Sequence, residues 1–382
     1  MFHFGESIQE VLQREGLSRR DFLKFCGLMA GALTLPKSAA DQIARALESP
    51  RRLPVVWLEL QDCAGCSEAF LRSTSPTAAE LVLDVLSVDY HETIMAASGF
   101  QAEKSKDDAL AAGGYILVVE GSISVSGSGE YCCIAGKSSK AILEEAAENA
   151  VAIIAVGNCA TFGGIPAANP NPTGAVGVWD IIKNKPVINI AGCPMNPANL
   201  TATVVHYLTF GALPEMDQFN RPLFAFGRRI HDNCERRGHF DAGEFVMEWG
   251  DEGHRAGWCL YKMGCKGPAS YHNCPSIRYN DGTSWPIAAG HPCIGCSEPG
   301  FWNWEVYKPV YLNEITPPIT FPTVENPERQ ISPAAIAISG TAIGAITGAA
   351  GAFAYNSITR RSKGIGPDVD ESEPEEHFTE QH

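Results

Sequence analysis

The 66 residues from His231 to Cys296 hold six cysteines, and His231 stands three positions ahead of the first of them. The stretch runs His231-Asp-Asn-Cys234, Cys259-Leu-Tyr-Lys-Met-Gly-Cys265, Cys274 and Cys293-Ile-Gly-Cys296. Soft thiolates at this density select iron–sulfur clusters or zinc. From about Gly211 onward, helical and strand periodicity fade and Gly, Pro, Trp and Cys dominate. Such a segment has little secondary structure to hold it. Metal–thiolate bonds are expected to replace part of the missing core.

Residues 53–210 read differently. Short apolar runs at Leu53–Leu60, Leu81–Tyr90, Tyr115–Glu120, Val151–Val156 and Pro186–Ile190 are expected strands. Helical patterns lie between them, as at Ser138–Asn149 and Asn199–Leu208. This alternation implies an α/β domain with a mainly parallel sheet covered by helices. Three expected strands end in cysteines: Cys63-Ala-Gly-Cys66, Gly157-Asn-Cys159 and Gly192-Cys193-Pro194. In open α/β sheets, ligands bind beyond the carboxyl ends of the strands. Four thiolates are therefore expected to converge on one cofactor.

Counting donors separates the candidate metals. Cys63, Cys66, Cys159 and Cys193 form one set of four. His231, Cys234, Cys259 and Cys265 form another. Cys274, Cys293 and Cys296 remain, and the nearest candidate for a fourth ligand is Pro286, which cannot ligate. Three thiolates suit a 3Fe–4S cluster, whereas a structural zinc wants a fourth donor. Three redox clusters on one chain make an electron wire; zinc has no redox chemistry. Cys132 and Cys133 have no partners at ligand spacing, so each is expected to be a buried apolar cysteine.

The ends of the chain address it to a membrane. Ser18-Arg19-Arg20-Asp21-Phe22-Leu23-Lys24 precedes an apolar run to Leu35, as in twin-arginine export signals. Ala44-Arg45-Ala46 supplies a cleavage pattern, making residues 1–46 the leader, which would carry Cys26 away. That route delivers folded cargo, so the thirteen cysteines are not read as mainly disulfides. Ile331–Thr359 has no charge over 29 residues. Its apolar part, Pro333–Tyr355, would be roughly 35 Å long as a helix, enough to span a bilayer. Arg360, Arg361 and Lys363 follow it and mark the cytoplasmic side. The tail, residues 360–382, is acidic, and the net charge of −15 speaks against a nucleic-acid partner.

With these residues in view, the chain closely resembles the small subunit of membrane-bound nickel–iron uptake hydrogenases. The likeness runs through Cys63-Ala-Gly-Cys66-Ser-Glu68, Gly157-Asn-Cys159-Ala-Thr-Phe-Gly-Gly164, Gly192-Cys193-Pro194 and Arg229-Ile-His231-Asp-Asn-Cys234. It continues through Cys259 to Pro268 and Gly290-His-Pro-Cys293-Ile-Gly-Cys296. The resemblance implies a flavodoxin-like domain without flavin over residues 47–210 and an iron–sulfur domain over 211–325. The first set of four would hold a proximal 4Fe–4S cluster, Cys274, Cys293 and Cys296 a medial 3Fe–4S cluster, and the His231 set a distal 4Fe–4S cluster. The nickel–iron centre would belong to a separate large subunit, and no residue here would be catalytic. Electrons would leave for a membrane cytochrome b and then quinone, on the periplasmic side of the inner membrane. Oxygen-tolerant relatives carry two extra cysteines at positions matching Gly65 and Gly164, so the resemblance implies an ordinary proximal cubane and an oxygen-inhibited enzyme.

Three other readings compete, one of them a cytoplasmic hydrogen sensor, which should lack both Arg19-Arg20 and the apolar tail. A quinone-reductase subunit of a respiratory complex resembles only the N-terminal half and leaves His231–Cys296 unexplained. A zinc-stabilised, membrane-anchored binding protein would be colourless, where iron–sulfur protein is brown.

Overall fold

The computed structural model describes residues 19–47, 53–73 and 86–310. Its centre is a five-stranded sheet: β1 Leu53–Glu59, β2 Leu86–His91, β3 Ile116–Glu120, β4 Ala152–Val156 and β5 Val187–Ile190. The strand order is β2-β1-β3-β4-β5, and every pair is parallel. That is the flavodoxin-like order among doubly wound sheets.

The apolar runs become strands because both faces of the sheet are covered. On one face Leu117, Val119, Ile153 and Ala155 pack with Ile142 and Leu143 of a covering helix. On the other, Ile116, Val118 and Ile154 pack with Phe70, Leu200 and Val204. The alternation of neighbours between faces is the period of two that a strand imposes. Strand β2 is described from Leu86; residues 74–85, which include the start of its apolar run, lie outside the described ones.

Caps explain the helix ends. In chain order the helices used below are α1 Arg19–Ala32, α2 Ala39–Leu47, α3 Gly65–Leu71, α4 Phe100–Ala112, α5 Ser139–Glu148, α6 Gly157–Phe162 and α7 Pro197–Phe210. Ser138 caps α5 by accepting from the Ala141 N–H. Helix α7 starts earlier than the apolar pattern indicates, because Asn196 accepts from Ala198 N–H and Pro197 takes the first turn. It stops where Gly211 turns left-handed at φ 63°.

The expected leader is itself helical over its described part. Phe22, Cys26 and Met29 of α1, Leu33 just past its end and Ile43 of α2 are buried with Ala202 and Val205 of α7. The expected span at 331–359 lies outside the described residues, and none of the described helices is long and apolar enough to cross a membrane.

Past α7 the chain changes character, as its composition implies. It holds one-turn helices such as Leu223–Phe226 and Cys274–Ile277, with 3-10 segments such as Ile230–Asn233 and Gly267–Ala269. Its buried core is Ile230, Val246, Leu260, Trp285 and Ile287 together with Cys265, Cys274 and Cys293.

One expectation fails here. Cys133 is exposed and Cys132 only half-buried. They lie at a small hairpin, Cys133–Ile134 against Lys137–Ser138, whose two turn residues Ala135 and Gly136 both have positive φ. Cys132 and Ile134 pack on the edge of the first apolar layer, and Cys133 between them alternates to the outer face.

Candidate iron–sulfur sites

The first site forms at the carboxyl ends of β1, β4 and β5. Cys63 and Cys66 border the start of α3, Cys159 lies in α6, and Cys193 follows β5. All four line one cavity of about 410 Å³, with Gly65, Gly157, Gly192 and Glu120. Gly157 (φ 80°) admits the bend into α6, and a Cβ there would collide with Cys66 Sγ. At Gly164 a Cβ would lie 2.5 Å from Cys159 Sγ, and at Gly65 one would lie 3.0 Å from Cys63 Sγ. The walls are thus pared back around the sulfurs.

Glu120, at the end of β3, fastens the cysteine turn. Its carboxylate accepts from Cys66 N–H and Ser67 N–H at 2.9 Å each, and from Ser67 Oγ at 2.6 Å. Met195 N–H points at Cys66 Sγ over 3.4 Å. Burial, then the Glu120 charge, push the Cys66 thiol up. Burial, then Cys193, push Cys159 up to about 12. Left bare, these thiols would keep their protons. A cationic iron core reverses that preference, since coordinated thiols lose theirs outright. The donor set therefore fits a cluster.

The second site brings His231, Cys234, Cys259 and Cys265 to one cavity of about 340 Å³. Arg236 N–H points at Cys234 Sγ and Gly267 N–H at Cys265 Sγ, each at 3.4 Å. Burial raises Cys234 to about 12 and Cys259 to about 11. His231 stands edge-on to Phe240 with ring centroids 4.6 Å apart. Burial, then Arg237, lower its pKa to about 4, so the imidazole is neutral near pH 7, as a metal ligand must be.

The remaining three cysteines also converge. Burial and the neighbouring Cys296 raise Cys274. Burial raises Cys293 too, and Cys265, Cys296 and Cys274 add to it. Cys296 is pushed up to about 11 by burial, offset by a hydrogen bond from the Cys193 backbone. This set adjoins the first site through Asn158, which neighbours Cys159 and donates to Cys296 O, and the second through Lys266, which neighbours Cys265 and whose N–H donates to Cys293 O at 2.7 Å. Pro286 is exposed.

Several residues around these sulfurs carry no ligand spacing and escape sequence reasoning. Asn158 donates from Nδ2 to Cys296 O at 2.8 Å and Glu298 O at 3.1 Å. Buried Arg221 donates to Ser297 O at 2.8 Å and pairs with Glu298 at 3.0 Å and Asp217 at 2.8 Å. His272 and Tyr279 flank Cys274. Only Asn158 gives a signal, as the middle of Gly157-Asn-Cys159.

Comparison with known proteins agrees with this division. Residues 226–308 match the family of C-terminal domains of NiFe/NiFeSe hydrogenase small subunits. Residues 63–207 match the family described as NADH ubiquinone oxidoreductase, 20 Kd subunit. The chain is 45% identical over 358 residues to the Hydrogenase-2 small chain of Escherichia coli (strain K12), covering 92% of this chain and 96% of that one. The chain belongs to the nickel–iron hydrogenase small subunits. This hydrogenase chain is also 49% identical over 297 residues to the quinone-reactive Ni/Fe-hydrogenase small chain of Wolinella succinogenes, covering 77% of this chain and 84% of that one. A solved structure of the Ni-Fe-Se hydrogenase from Desulfomicrobium baculatum in a reduced, active form superposes with a TM-score of 0.64 at 32% identity, covering 68% of this chain and all of that one. Hydrogenase small subunits hold iron–sulfur clusters and move electrons from the nickel–iron centre of their large partner. The respiratory-complex likeness stops at residue 207, short of the second and third sites.

Proposed function

We propose that this hydrogenase small subunit holds three clusters in a row. Cys63, Cys66, Cys159 and Cys193 would ligate a 4Fe–4S cluster, Cys274, Cys293 and Cys296 a 3Fe–4S cluster, and His231, Cys234, Cys259 and Cys265 a second 4Fe–4S cluster. The observation that carries this reading is that the middle set adjoins both others: Asn158, beside Cys159, donates to Cys296 O at 2.8 Å, and the N–H of Lys266, beside Cys265, donates to Cys293 O at 2.7 Å. Bound at these sites, iron–sulfur clusters accept and release single electrons.

The chain's own residues do the rest. Backbone N–H groups of Met195, Arg236, Gly267 and Gly295 point at Cys66, Cys234, Cys265 and Cys293 and stabilise their thiolate charge. Neutral His231 replaces one anionic ligand and leaves the outermost station less negative. The tight fits at Gly65 and Gly164 leave the first site with four sulfurs, which supports an ordinary cubane and an oxygen-inhibited enzyme. Sustained hydrogen oxidation under air would contradict that.

On this reading residues 1–46 direct export by the twin-arginine route, and residues 47–210 and 211–325 form the two electron-carrying domains. Residues 331–359 anchor the complex, leaving 360–382 in the cytoplasm and the body on the periplasmic side. The acceptor is a membrane cytochrome b feeding quinone, a reading supported by the quinone-reactive relative. Low-temperature electron paramagnetic resonance on the oxidised heterodimer tests the cluster scheme. A three-iron signal is expected, and its absence overturns the scheme.

A further inference from the structure

Cys274 differs from its fellow ligands in having a side-chain nitrogen against its sulfur. His272 Nδ1 lies 2.9 Å from Cys274 Sγ. The backbone N–H groups at Cys66, Cys234, Cys265 and Cys293 stand at 3.3–3.4 Å. His272 is buried, edge-on to Phe226 and stacked on Tyr279. Its Nε2 has no hydrogen-bond partner among the described residues.

That environment decides the tautomer. Deep burial keeps the ring neutral, so it carries one proton. On Nε2 the proton would be a buried donor without an acceptor; on Nδ1 it meets the sulfur. Nδ1–H therefore donates to Cys274. The Tyr279 hydroxyl lies near the same sulfur and donates its proton to Pro194 O at 3.1 Å. Cys293 receives its own from a backbone N–H, that of Gly295.

We infer that His272, assisted by Tyr279, is a positioning residue that holds up the reduction potential of the centre bound by Cys274, Cys293 and Cys296. The inference rests on the reading of those three cysteines as ligands of one cluster. The reduced centre bears one more negative charge than the oxidised one, and part of it resides on the ligand sulfurs. Hydrogen bonds to those sulfurs stabilise the reduced form more and raise the potential.

The test is a redox titration of the intact heterodimer, following the three-iron resonance signal. His272→Phe keeps the ring's bulk against Phe226 and removes the donor. It is expected to shift the reduced-to-oxidised ratio at a fixed potential about tenfold toward oxidised, about 59 mV downward for a one-electron couple. His272→Asn sets an amide N–H where Nδ1 was and keeps the potential near wild type. Tyr279→Phe gives a smaller downward shift, because its hydroxyl donates to Pro194 O and acts on the sulfur only through its dipole.

A His272→Phe protein with a full three-iron signal and an unmoved potential overturns the inference. So does an Asn variant that falls as far as Phe, which would mark a packing effect. If His272→Phe assembles no centre, an unshifted Tyr279→Phe overturns it, and a lowered Tyr279→Phe with a wild-type Asn variant supports it. Absence of the three-iron signal in the wild type sinks the cluster assignment instead, before any variant is compared.

Discussion

The strand-end site and the His231 site present similar donor sets in opposite settings. At the strand ends, β1, β4 and β5 deliver the four cysteines, and two large apolar layers hold those strands without help. Beyond α7 the relation inverts. Three of the eight buried core residues there are themselves proposed ligands, Cys265, Cys274 and Cys293. In the first region the fold makes the site; in the second the site makes a good part of the fold. Equal chemistry therefore carries unequal structural weight.

Iron removal probes this contrast most strongly. Chelation of the heterodimer is expected to strip amide-exchange protection from residues 226–308 while the five-stranded sheet keeps its own. Metal–ligand energies on the order of 10 kcal/mol sustain small metal-dependent folds, and a region with this core depends on them. Equal loss of protection in both regions breaks the comparison.

A smaller effect is expected from Gly157→Ala. The added methyl meets Cys66 Sγ at a position with φ 80°, so the protein should lose the iron of one cluster and keep the sheet's melting transition. Metal analysis beside calorimetry reads both. Asn158→Ala comes next. It leaves the Cys296 and Glu298 carbonyls without their donor, at a cost of about 1–3 kcal/mol. A lowered Tm with full iron content is the expected result.

The smallest effect concerns pH. Burial, then the Glu59 charge, raise Glu92 to about 7. A carboxyl that binds its proton more tightly when folded contributes stability in acid and loses it as pH rises from its ordinary range to about 7. Melting scans from pH 5 to 8 should show that decline, and Glu92→Gln should flatten it. A wild-type slope of the opposite sign excludes Glu92 as the cause.

Local pattern carries much of this structure. Runs of β-branched residues announce β3 and β4, and Ser138 marks the start of α5. Cysteines at strand ends point to one face of a parallel sheet because that topology gathers strand ends. What stays illegible is long-range. Asn158 meets Cys296 across 138 positions, and Arg221 meets Glu298 across 77; no periodicity encodes such pairs. His272 stands two residues from a proposed ligand and still gives no signal, because histidine near cysteine has many uses. Cys133 departs from expectation for a related reason: apolar character describes a side chain, while exposure depends on whether the backbone offers it an interior.

The amide of Asn158 ties a helix of the sheet domain to the carbonyls of Cys296 and Glu298, and Asn196, which opens α7, donates to the Arg278 carbonyl. Any hinge between the two halves would have to break those bonds first. Tunnelling rates fall steeply with separation, so a fraction of an ångström of breathing there would throttle the current. The protein is consequently a spacer as much as a conductor, and its throughput depends on a few neutral hydrogen bonds that never touch iron.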